Sequence, residues 1–352
     1  MTQPRANWGW RARARRLFFG MAWLRLGGLG AVAVLLAAGC ARSDPAAKAD
    51  AAPARQKVVL QTDWFPQAEH GGFYQALARG FYREAGMDVE ILPGGPGAGI
   101  KIKVAKGEAD FGLNRSDDVL LAAAQGLPLV MVGAVFQHDP QALLVRADSP
   151  VKTLRDLDGR TVIANIGMTW IPYLQKKYGI KFNLKPNTYG IAGFLADPDA
   201  IQQCLLTNEP FFAQEHGVSV RTLPIADAGY DCYHTIMCRR ELVQLRPDIV
   251  RAFLAASIRG WRDYLDGDPA PGNALILRRN PQTSPALLEF SRSEMILHAL
   301  VAGDPARGEG IGEISLTRIA EQQAALLDLK VLSAPVVVAA VATRAFLPPA
   351  QR

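Results

Sequence analysis

The chain has 352 residues, 49% of them hydrophobic, and a formal net charge of +6. Six arginines and no acidic residue lie within residues 1–39, so the rest of the chain is close to neutral. No Lys/Arg-rich patch with interleaved aromatic residues follows, which argues against a nucleic-acid partner, and the remaining length is sufficient for two α/β lobes.

Residues 1–39 have the pattern of an export signal. An apolar run at 26–38 follows the arginines, and it is shorter than the roughly 20 residues that a membrane-spanning helix needs. We therefore predict a signal peptide. The ending Leu-Ala-Ala-Gly-Cys resembles the bacterial lipoprotein box, which would make Cys40 the lipidated residue and its lipid the only membrane contact of a periplasmic protein. An ordinary signal peptide or membrane anchor is the alternative, and Arg15-Arg16 leaves twin-arginine export open.

The segment after the cysteine has the composition of a tether. Residues 40–56 are rich in Ala, Pro and small polar residues, without a periodic apolar face. We predict a flexible linker between the anchor and a folded body.

The folded body opens with a strand–loop–helix–strand pattern. Strands are predicted at 58–61 and 89–92, with a helix at 71–85 between them. The loop between the first strand and the helix carries four side chains with functional groups: Asp63, Trp64, Glu69 and His70. Ligands of open α/β sheets bind at the carboxyl ends of strands, so this loop is the first candidate binding segment.

A glycine-rich stretch at 93–99 leads into a predicted helix at 100–106. It lacks the GK[ST] ending of a phosphate-binding loop, and we interpret it as a turn whose glycines permit positive φ. Close backbone approach to a ligand is the alternative. The next predicted strand ends at Asn114, a pocket candidate. Ser116, Asp117 and Asp118 then read as helix caps, and strands are predicted at 129–136 and 141–146.

The second half of the body supplies further candidates. Gly167, Met168 and Thr169 lie between a predicted strand at 161–164 and a helix at 170–178, where backbone N–H groups suit an anionic or carbonyl group. Tyr189 lies in a predicted strand and turn at 187–193. A helix is predicted at 197–206.

Glu209 follows that predicted helix and precedes Phe211-Phe212. A carboxylate in this apolar setting would be partly desolvated and would need a hydrogen-bond donor. A solvated loop glutamate is the alternative.

The remaining pattern predicts strands at 219–224 and 233–238, a loop at 227–231 that carries Tyr230, and helices at 247–266, 285–300 and 315–329 that cover a core. After Cys40, three cysteines are present: Cys204, Cys232 and Cys238. Neither a CxxC nor a Cys/His ligand spacing occurs, so no metal site is predicted. Cys232 and Cys238 could form a disulfide in an oxidising compartment or remain buried thiols.

Four sequence segments together resemble a known family: DWFPQAEHGGFYQALARGFYREAGMDVEI, GEADFGL, KTLRDLDGRTV and TNEP. They are similar to solute-binding proteins of the thiamine-pyrimidine-precursor and sulfonate/nitrate/taurine group, which feed ABC importers. The resemblance implies an α/β, type II periplasmic-binding-protein fold with two lobes and a ligand cleft between them. It places lobe 1 at 57–143 plus 240–333, lobe 2 at 144–239 and a tail at 334–352, with hinge crossings near 143–146 and 237–240.

The same resemblance implies ligand-binding roles for Asp63, Trp64 and Glu209, with Tyr189 and Tyr230 closing the far side. An indole face stacks on a flat ring, and carboxylates accept hydrogen bonds from an exocyclic amine. The expected ligand is a small planar heterocycle, such as the thiamine precursor formylaminopyrimidine. The expected partner of the monomeric binding protein is an ABC permease. A sulfonate or taurine, or riboflavin, is the alternative ligand.

A thiamine pyrimidine synthase with a similar sequence implies a different function, catalysis. Its catalytic histidine falls on Asp118 here, its pyridoxal-binding lysine on Asn114, and its cysteine-rich iron motif on 229–235, where only Cys232 is kept. We therefore expect no enzymatic activity and no cofactor.

Overall fold

The computed structural model describes residues 55–349, which form two five-stranded sheets with helices around them. The predicted signal peptide, the lipidation residue Cys40 and nearly all of the predicted linker lie outside the described residues. None of the described helices is long and apolar enough to span a membrane.

The first sheet has the strand order β2-β1-β3-β10-β4, and the second has the order β7-β6-β8-β5-β9. The strands of the first sheet are β1 (Gln56–Gln61), β2 (Met87–Leu92), β3 (Phe111–Arg115), β4 (Leu129–Phe136) and β10 (His234–Arg239). The strands of the second sheet are β5 (Gln141–Arg146), β6 (Thr161–Ala164), β7 (Asn183–Pro186), β8 (Ile201–Leu205) and β9 (Val220–Pro224). In each sheet one strand, β10 or β5, runs antiparallel to its neighbours.

Helices cover both sheets. Those between the strands are α1 (Gly71–Arg79), α2 (Phe81–Glu84), α3 (Ile100–Lys106), α4 (Ser116–Ala124), α5 (Trp170–Tyr178), α6 (Ala192–Ala196) and α7 (Glu209–Glu215). The C-terminal helices are α8 (Arg240–Leu245), α9 (Pro247–Asp266), α10 (Ala270–Arg279), α11 (Pro285–Leu297), α12 (Leu316–Asp328) and α13 (Val338–Val341). Short 3₁₀ turns form at Ala68–His70, Leu154–Leu157, Ile225–Ala228 and Pro305–Arg307.

The loop after β1 is fixed by close packing of α1 on α9. A Cβ atom at Gly71 would lie 2.2 Å from the ring of Tyr264, and one at Gly72 would lie 2.2 Å from the ring of Trp261. Both rings are buried. The start of α1 can reach this position only without side chains, and it carries the preceding loop with it.

The chain passes from the first sheet to the second between Phe136 and Gln141, and it returns between Ala228 and His234. Both passages lie several residues before the expected crossings near 143–146 and 237–240. The reason is that β5 and β10 each join the sheet they enter along their whole length.

The two passages are tied together by Asp231. Its carboxylate lies 2.8 Å from His138 Nδ1, accepts the Asp139 backbone N–H at 2.7 Å and lies 2.9 Å from Arg318 Nη2. The hydrogen bond to Asp231, and the charges of Asp231 and Glu309, raise the pKa of His138 even though burial opposes its ionisation. One carboxylate therefore couples both connections between the sheets.

Most predicted elements are confirmed, and three predictions are wrong. No strand forms at 187–193, because β7 ends at Pro186 and α6 begins at Ala192. The helix predicted at 197–206 is in fact strand β8, in the middle of the second sheet. The helix predicted at 71–85 is interrupted by Gly80, which has a left-handed φ of 78° and separates α1 from α2.

The described part of the C-terminal segment belongs to the folded body. Val341, Ala342 and Phe346 are buried, and the Thr343 N–H donates to Met131 O of β4 at 3.0 Å, so the described part of the tail packs on the first sheet.

Cys204, Cys232 and Cys238 are free and buried thiols, so Cys232 and Cys238 do not form the disulfide that the sequence left open.

Candidate functional site

Two adjoining cavities lie where the carboxyl ends of β1 and β8 approach the start of β5. The outer cavity has a volume of about 480 Å³ and the inner cavity about 110 Å³. Four residues line both of them: Asp63, Gln67, Gln141 and Leu205. Because these residues come from both sheets, the two cavities form one cleft between them.

Asp63 lies where the two cavities meet, directly after β1. The backbone here is held by the Thr62 hydroxyl, which donates to Trp64 O at 2.9 Å and to Leu92 O at 3.0 Å. Gly94 packs against the same turn, where a Cβ atom would lie 2.3 Å from Thr62 O. The glycine-rich stretch thus packs against the turn that carries Asp63, and none of its residues is among those that line the two cavities.

Two histidines hold the Asp63 carboxylate. His70 Nε2 donates to Oδ1 at 2.8 Å, and His234 Nε2 lies 3.2 Å from Oδ2. Burial favours the neutral acid, but the nearby imidazole of His234 and the hydrogen bond from His70 outweigh it and keep the pKa of Asp63 far below its ordinary value. Asp63 is therefore a carboxylate with a fixed orientation and 37% of its side chain exposed to the cleft.

Two aromatic rings in contact with each other line the outer cavity. The rings of Trp64, after β1, and Tyr189, after β7, lie 5.1 Å apart between centroids, at an interplanar angle of 45°. Tyr189 has a positive φ of 55°, and its N–H donates to Asn187 Oδ1 at 3.0 Å. A non-glycine residue in this region costs about 1–2 kcal/mol. The local turn holds the tyrosine ring over the cavity in spite of this strain.

Glu209 enters the outer cavity from the first turn of α7. Its Oε2 accepts the Leu205 N–H at 2.8 Å. Burial is the main cause that raises the pKa of Glu209 to about 7, and the nearby Glu69 carboxyl adds to the shift. Near neutral pH this group can therefore accept or donate a proton, unlike Asp63.

Glu69 is a buried carboxyl that lines the inner cavity. The Thr207 hydroxyl, from the segment after β8, donates to its Oε1. Burial raises the pKa of Glu69 above its ordinary value, and the Thr207 hydrogen bond opposes that shift. The sequence places this residue in the binding loop, but no role was predicted for it.

Amide side chains form the floor of the outer cavity. Gln203 Nε2 donates to Gln141 Oε1 at 2.8 Å, and Gln203 Oε1 accepts the Asn165 N–H at 2.8 Å. All three residues line the outer cavity. Sequence reasoning missed Gln203 because it assigned this segment to a helix, in which its side chain would not face β5.

The structure brings only some of the predicted site residues together. Asp63, Trp64, Met168, Tyr189 and Glu209 line the outer cavity, and His70 supports Asp63 from a buried position.

The other predicted residues lie outside the cavity linings. Gly167 is in the exposed turn before α5, with φ of 90°, and Asn114 Oδ1 accepts the Arg115 N–H within β3. The hydroxyls of Thr169 and Tyr230 both donate to Asp117 Oδ2. These two side chains are thus used in a contact between α4, α5 and the second passage. The assignments of all ten residues as ligand contacts remain predictions.

The chain is similar in sequence to a known protein family and to individual binding proteins. The model of a family described as NMT1/THI5 like matches residues 67–270. The riboflavin-binding protein RibY of Chloroflexus aurantiacus is 27% identical over 297 residues, which cover 76% of this chain and 82% of RibY. The formylaminopyrimidine-binding protein of Halalkalibacterium halodurans is 23% identical over 257 residues, covering 69% of this chain and 76% of that protein.

Similarity extends to an enzyme and to a solved structure. The 4-amino-5-hydroxymethyl-2-methylpyrimidine phosphate synthase THI11 of Saccharomyces cerevisiae is 23% identical over 259 residues, covering 63% of this chain and 74% of the enzyme. The periplasmic aliphatic sulphonate binding protein SsuA of Escherichia coli superposes with a TM-score of 0.61 at 16% identity, covering 81% of this chain and 91% of SsuA. The predicted periplasmic-binding-protein fold and the family resemblance are both confirmed.

Proposed function

The chain belongs to the NMT1/THI5-like family, and we propose that it binds a small planar heterocycle and delivers it to a membrane importer. The formylaminopyrimidine-binding relative supports a pyrimidine of the thiamine-precursor type. In this proposal the protein holds the ligand without chemical change, and closure of the two lobes presents it to the permease.

One observation carries this proposal: an aromatic pair and two carboxylates face the same 480 Å³ cavity. Trp64 and Tyr189 offer ring faces for stacking, which contributes about 1–3 kcal/mol per base on aromatic platforms. Asp63 and Glu209 offer acceptors for ring or exocyclic N–H groups. Stacking together with carboxylate acceptors is the chemistry that an aminopyrimidine requires.

The charge of the cleft argues against a sulfonate. Asp63, Glu69 and Glu209 all line the cavities, and an anion beside carboxylates is repelled. Arg115 lines the inner cavity, but its guanidinium is already paired with Asp117 and Asp139. The similarity to SsuA therefore supports the fold, and the charge of the cleft favours a ligand other than a sulfonate.

Riboflavin is the second candidate, because RibY is among the relatives and the inner cavity lengthens the site. A flavin ring would occupy the outer cavity, and the hydroxyl chain would reach toward Asp63 and Gln141, which line both cavities. A synthase activity is the weaker candidate. Asn114 and Asp118 occupy the positions where the resemblance implies the lysine and the histidine of that enzyme, and Asp118 is paired with Lys101 at 3.1 Å.

We also propose a cellular location and a membrane anchor for the protein. The export pattern, Cys40 and the binding-protein fold support a monomeric lipoprotein anchored in the periplasm, with lobe 1 at 57–143 plus 240–333 and lobe 2 at 144–239, apart from the shifted passages. Labelling of cells with a radioactive fatty acid tests the anchor, because Cys40→Ala should abolish incorporation of the label.

The function is tested by thermal unfolding of the purified protein against a panel of aminopyrimidines, thiamine, riboflavin, sulfonates and pyridoxal phosphate. A ligand at roughly 100 times its dissociation constant adds about 2.7 kcal/mol to the stability. We expect stabilisation by an aminopyrimidine. Stabilisation by riboflavin alone would favour the second candidate, and stabilisation by a sulfonate or pyridoxal phosphate alone would contradict the proposal.

A further inference from the structure

Glu69 is a buried carboxyl that has no lysine or arginine partner within residues 55–349. Glu69 is 5% exposed to solvent, and none of the ion pairs formed by lysines and arginines in this part of the chain includes it. Its hydrogen-bond donor is the Thr207 hydroxyl. The charge of His70 favours the ionised carboxyl, but His70 is hydrogen-bonded to Asp63, and the charges of Asp63 and Glu209 have the same sign as that of Glu69. A buried carboxylate that lacks a counter-charge is costly, so the site gains free energy when a cation arrives.

The inner cavity gives that cation a place. Its lining contains the carboxyls of Glu69, Asp63 and Asp139, and its volume is less than a quarter of the outer cavity. The guanidinium of Arg115, which also faces it, is neutralised by Asp139 and by Asp117 at 3.2 Å. Asp63 is paired with His70 and His234 and Asp139 with Arg115, so Glu69 is the carboxyl of this lining that has no ion-pair partner, and the cavity has room for a small substituent.

Thr207 fixes the direction of the Glu69 carboxyl. Its hydroxyl donates to Glu69 Oε1, and its carbonyl accepts the Ser291 Oγ hydrogen bond at 2.7 Å from α11. Thr207 belongs to the second sheet's side of the cleft, after β8, whereas Glu69 follows β1. The hydrogen bond that orients the carboxyl therefore joins the two sides of the cleft.

Resting on the proposed function, we infer that Glu69 selects ligands that carry a basic amino or amidine nitrogen. The heterocycle occupies the outer cavity and stacks against the Trp64–Tyr189 pair, and the protonated or amino nitrogen enters the inner cavity and pairs with the Glu69 carboxylate. Glu69 is then the residue that separates basic heterocycles from neutral ones of the same shape.

The test is a calorimetric titration of the whole protein with two ligands of the same shape. One is an aminopyrimidine, and the other carries a methyl group in place of the amino group. We expect the wild-type protein to prefer the amino ligand by roughly ten- to a hundred-fold, the range of one hydrogen bond to a charged group. Glu69→Gln should bring the two affinities within a few-fold of each other, mainly by weakening the amino ligand.

Two controls keep the result specific. Glu90→Gln changes an exposed glutamate of β2 and should leave the preference unchanged. Thr207→Val removes the donor that orients the carboxyl and should reduce the preference several-fold, which gives a second reading if Glu69→Gln does not fold. Unfolding temperatures at pH 8 should show Glu69→Gln at least as stable as the wild type, since a neutral amide replaces an unpaired buried carboxyl.

The outcomes separate the two proposals. If both ligands bind the wild type equally, or if Glu69→Gln weakens both by the same factor, the inference about Glu69 is overturned while heterocycle binding stands. If neither ligand binds the wild type, the proposed function fails, and the inference fails with it.

Discussion

Two carboxylates of the cleft are in different protonation states near neutral pH, and their surroundings explain why. Asp63 lies against His70 and His234, which lower its pKa far below the ordinary value, so it stays ionised. Glu209 has one backbone donor and a like charge nearby, and burial raises its pKa to about 7. The cleft therefore offers one permanent acceptor and one group that can share a proton with a ring nitrogen.

Glu209 should make the ligand-free protein less stable as the pH rises. Its pKa is about 4.5 in the unfolded chain and about 7 in the folded protein, so the unfolded chain ionises first. As far as Glu209 is concerned, the free energy of unfolding is highest below pH 4.5, falls between pH 4.5 and 7, and remains at the lower value above pH 7. Glu209→Gln should remove about 1–3 kcal/mol of that loss.

Urea unfolding of both proteins at pH 5, 6, 7 and 8 measures this difference. Asp63 and His138 contribute equally to the wild type and the variant, so they cancel in the comparison. Glu90→Gln in the exposed face of β2 serves as the control and should follow the wild type. Parallel pH profiles for Glu209→Gln and the wild type would show that Glu209 ionises normally in the folded protein.

Single residues were predictable where the chain order places them at the end of a strand. Asp63 and Trp64 follow β1 directly, and the sequence identifies that junction. His234 was missed, because it reaches Asp63 only through the insertion of β10 beside β3, far away in sequence. Residue spacing carries no signal for such a contact.

At the scale of elements, β8 shows where local pattern reasoning fails. Its sequence Ile-Gln-Gln-Cys-Leu has two glutamines, which suit a helix, yet four of the five residues are buried in a strand. The glutamine amides find partners in tertiary contacts: Gln202 donates to Gly190 O and Gln203 donates to Gln141. Pairing with β5 and β6 overrides the local preference.

The contact between His138 and Asp231, which joins the two passages between the sheets, should depend on pH. The pKa of His138 is raised by Asp231 and Glu309, while Arg318 opposes the shift. Its contribution to stability is therefore present below its ordinary pKa of 6.5 and lost as the pH rises through the higher folded value. Asp231→Asn should lower the pKa of His138 and cost about 1–3 kcal/mol at pH 6, and less at pH 9.

NMR titration of the His138 ring and urea unfolding at both pH values measure these effects. Asp88→Asn, on the exposed side of β2, is the control for a surface carboxylate. An unchanged titration of His138 in Asp231→Asn would mean that the contact between the two passages does not stabilise the imidazolium.

At the scale of the whole molecule, the two sheets repeat one topology, and each gains one antiparallel strand as the chain crosses over. Both connections therefore lie on the same side of the cleft, next to Asp139 and Cys232, which line the inner cavity. On the opposite side, Trp64 contacts Tyr189 across the cleft, with ring centroids 5.1 Å apart. This arrangement suits lobes that close on a ligand.

The overall fold was predictable from the sequence because strand and helix patterns alternate along the chain and the family resemblance supplied their order. The depth of the cleft was not predictable. It depends on Gly71 and Gly72 packing against Tyr264 and Trp261, almost 200 residues later in the chain, and on contacts such as Glu69 with Thr207. Only three-dimensional packing brings these groups together.

The most direct test of the account is a calorimetric titration of the wild-type protein, Trp64→Leu and Glu209→Ala with an aminopyrimidine. We predict one site per chain in the wild type, an affinity lower by roughly ten-fold or more in Trp64→Leu through lost stacking, and no measurable binding in Glu209→Ala, with all three proteins folded. Equal affinity in the wild type and both variants would place the ligand outside this cleft and contradict the account.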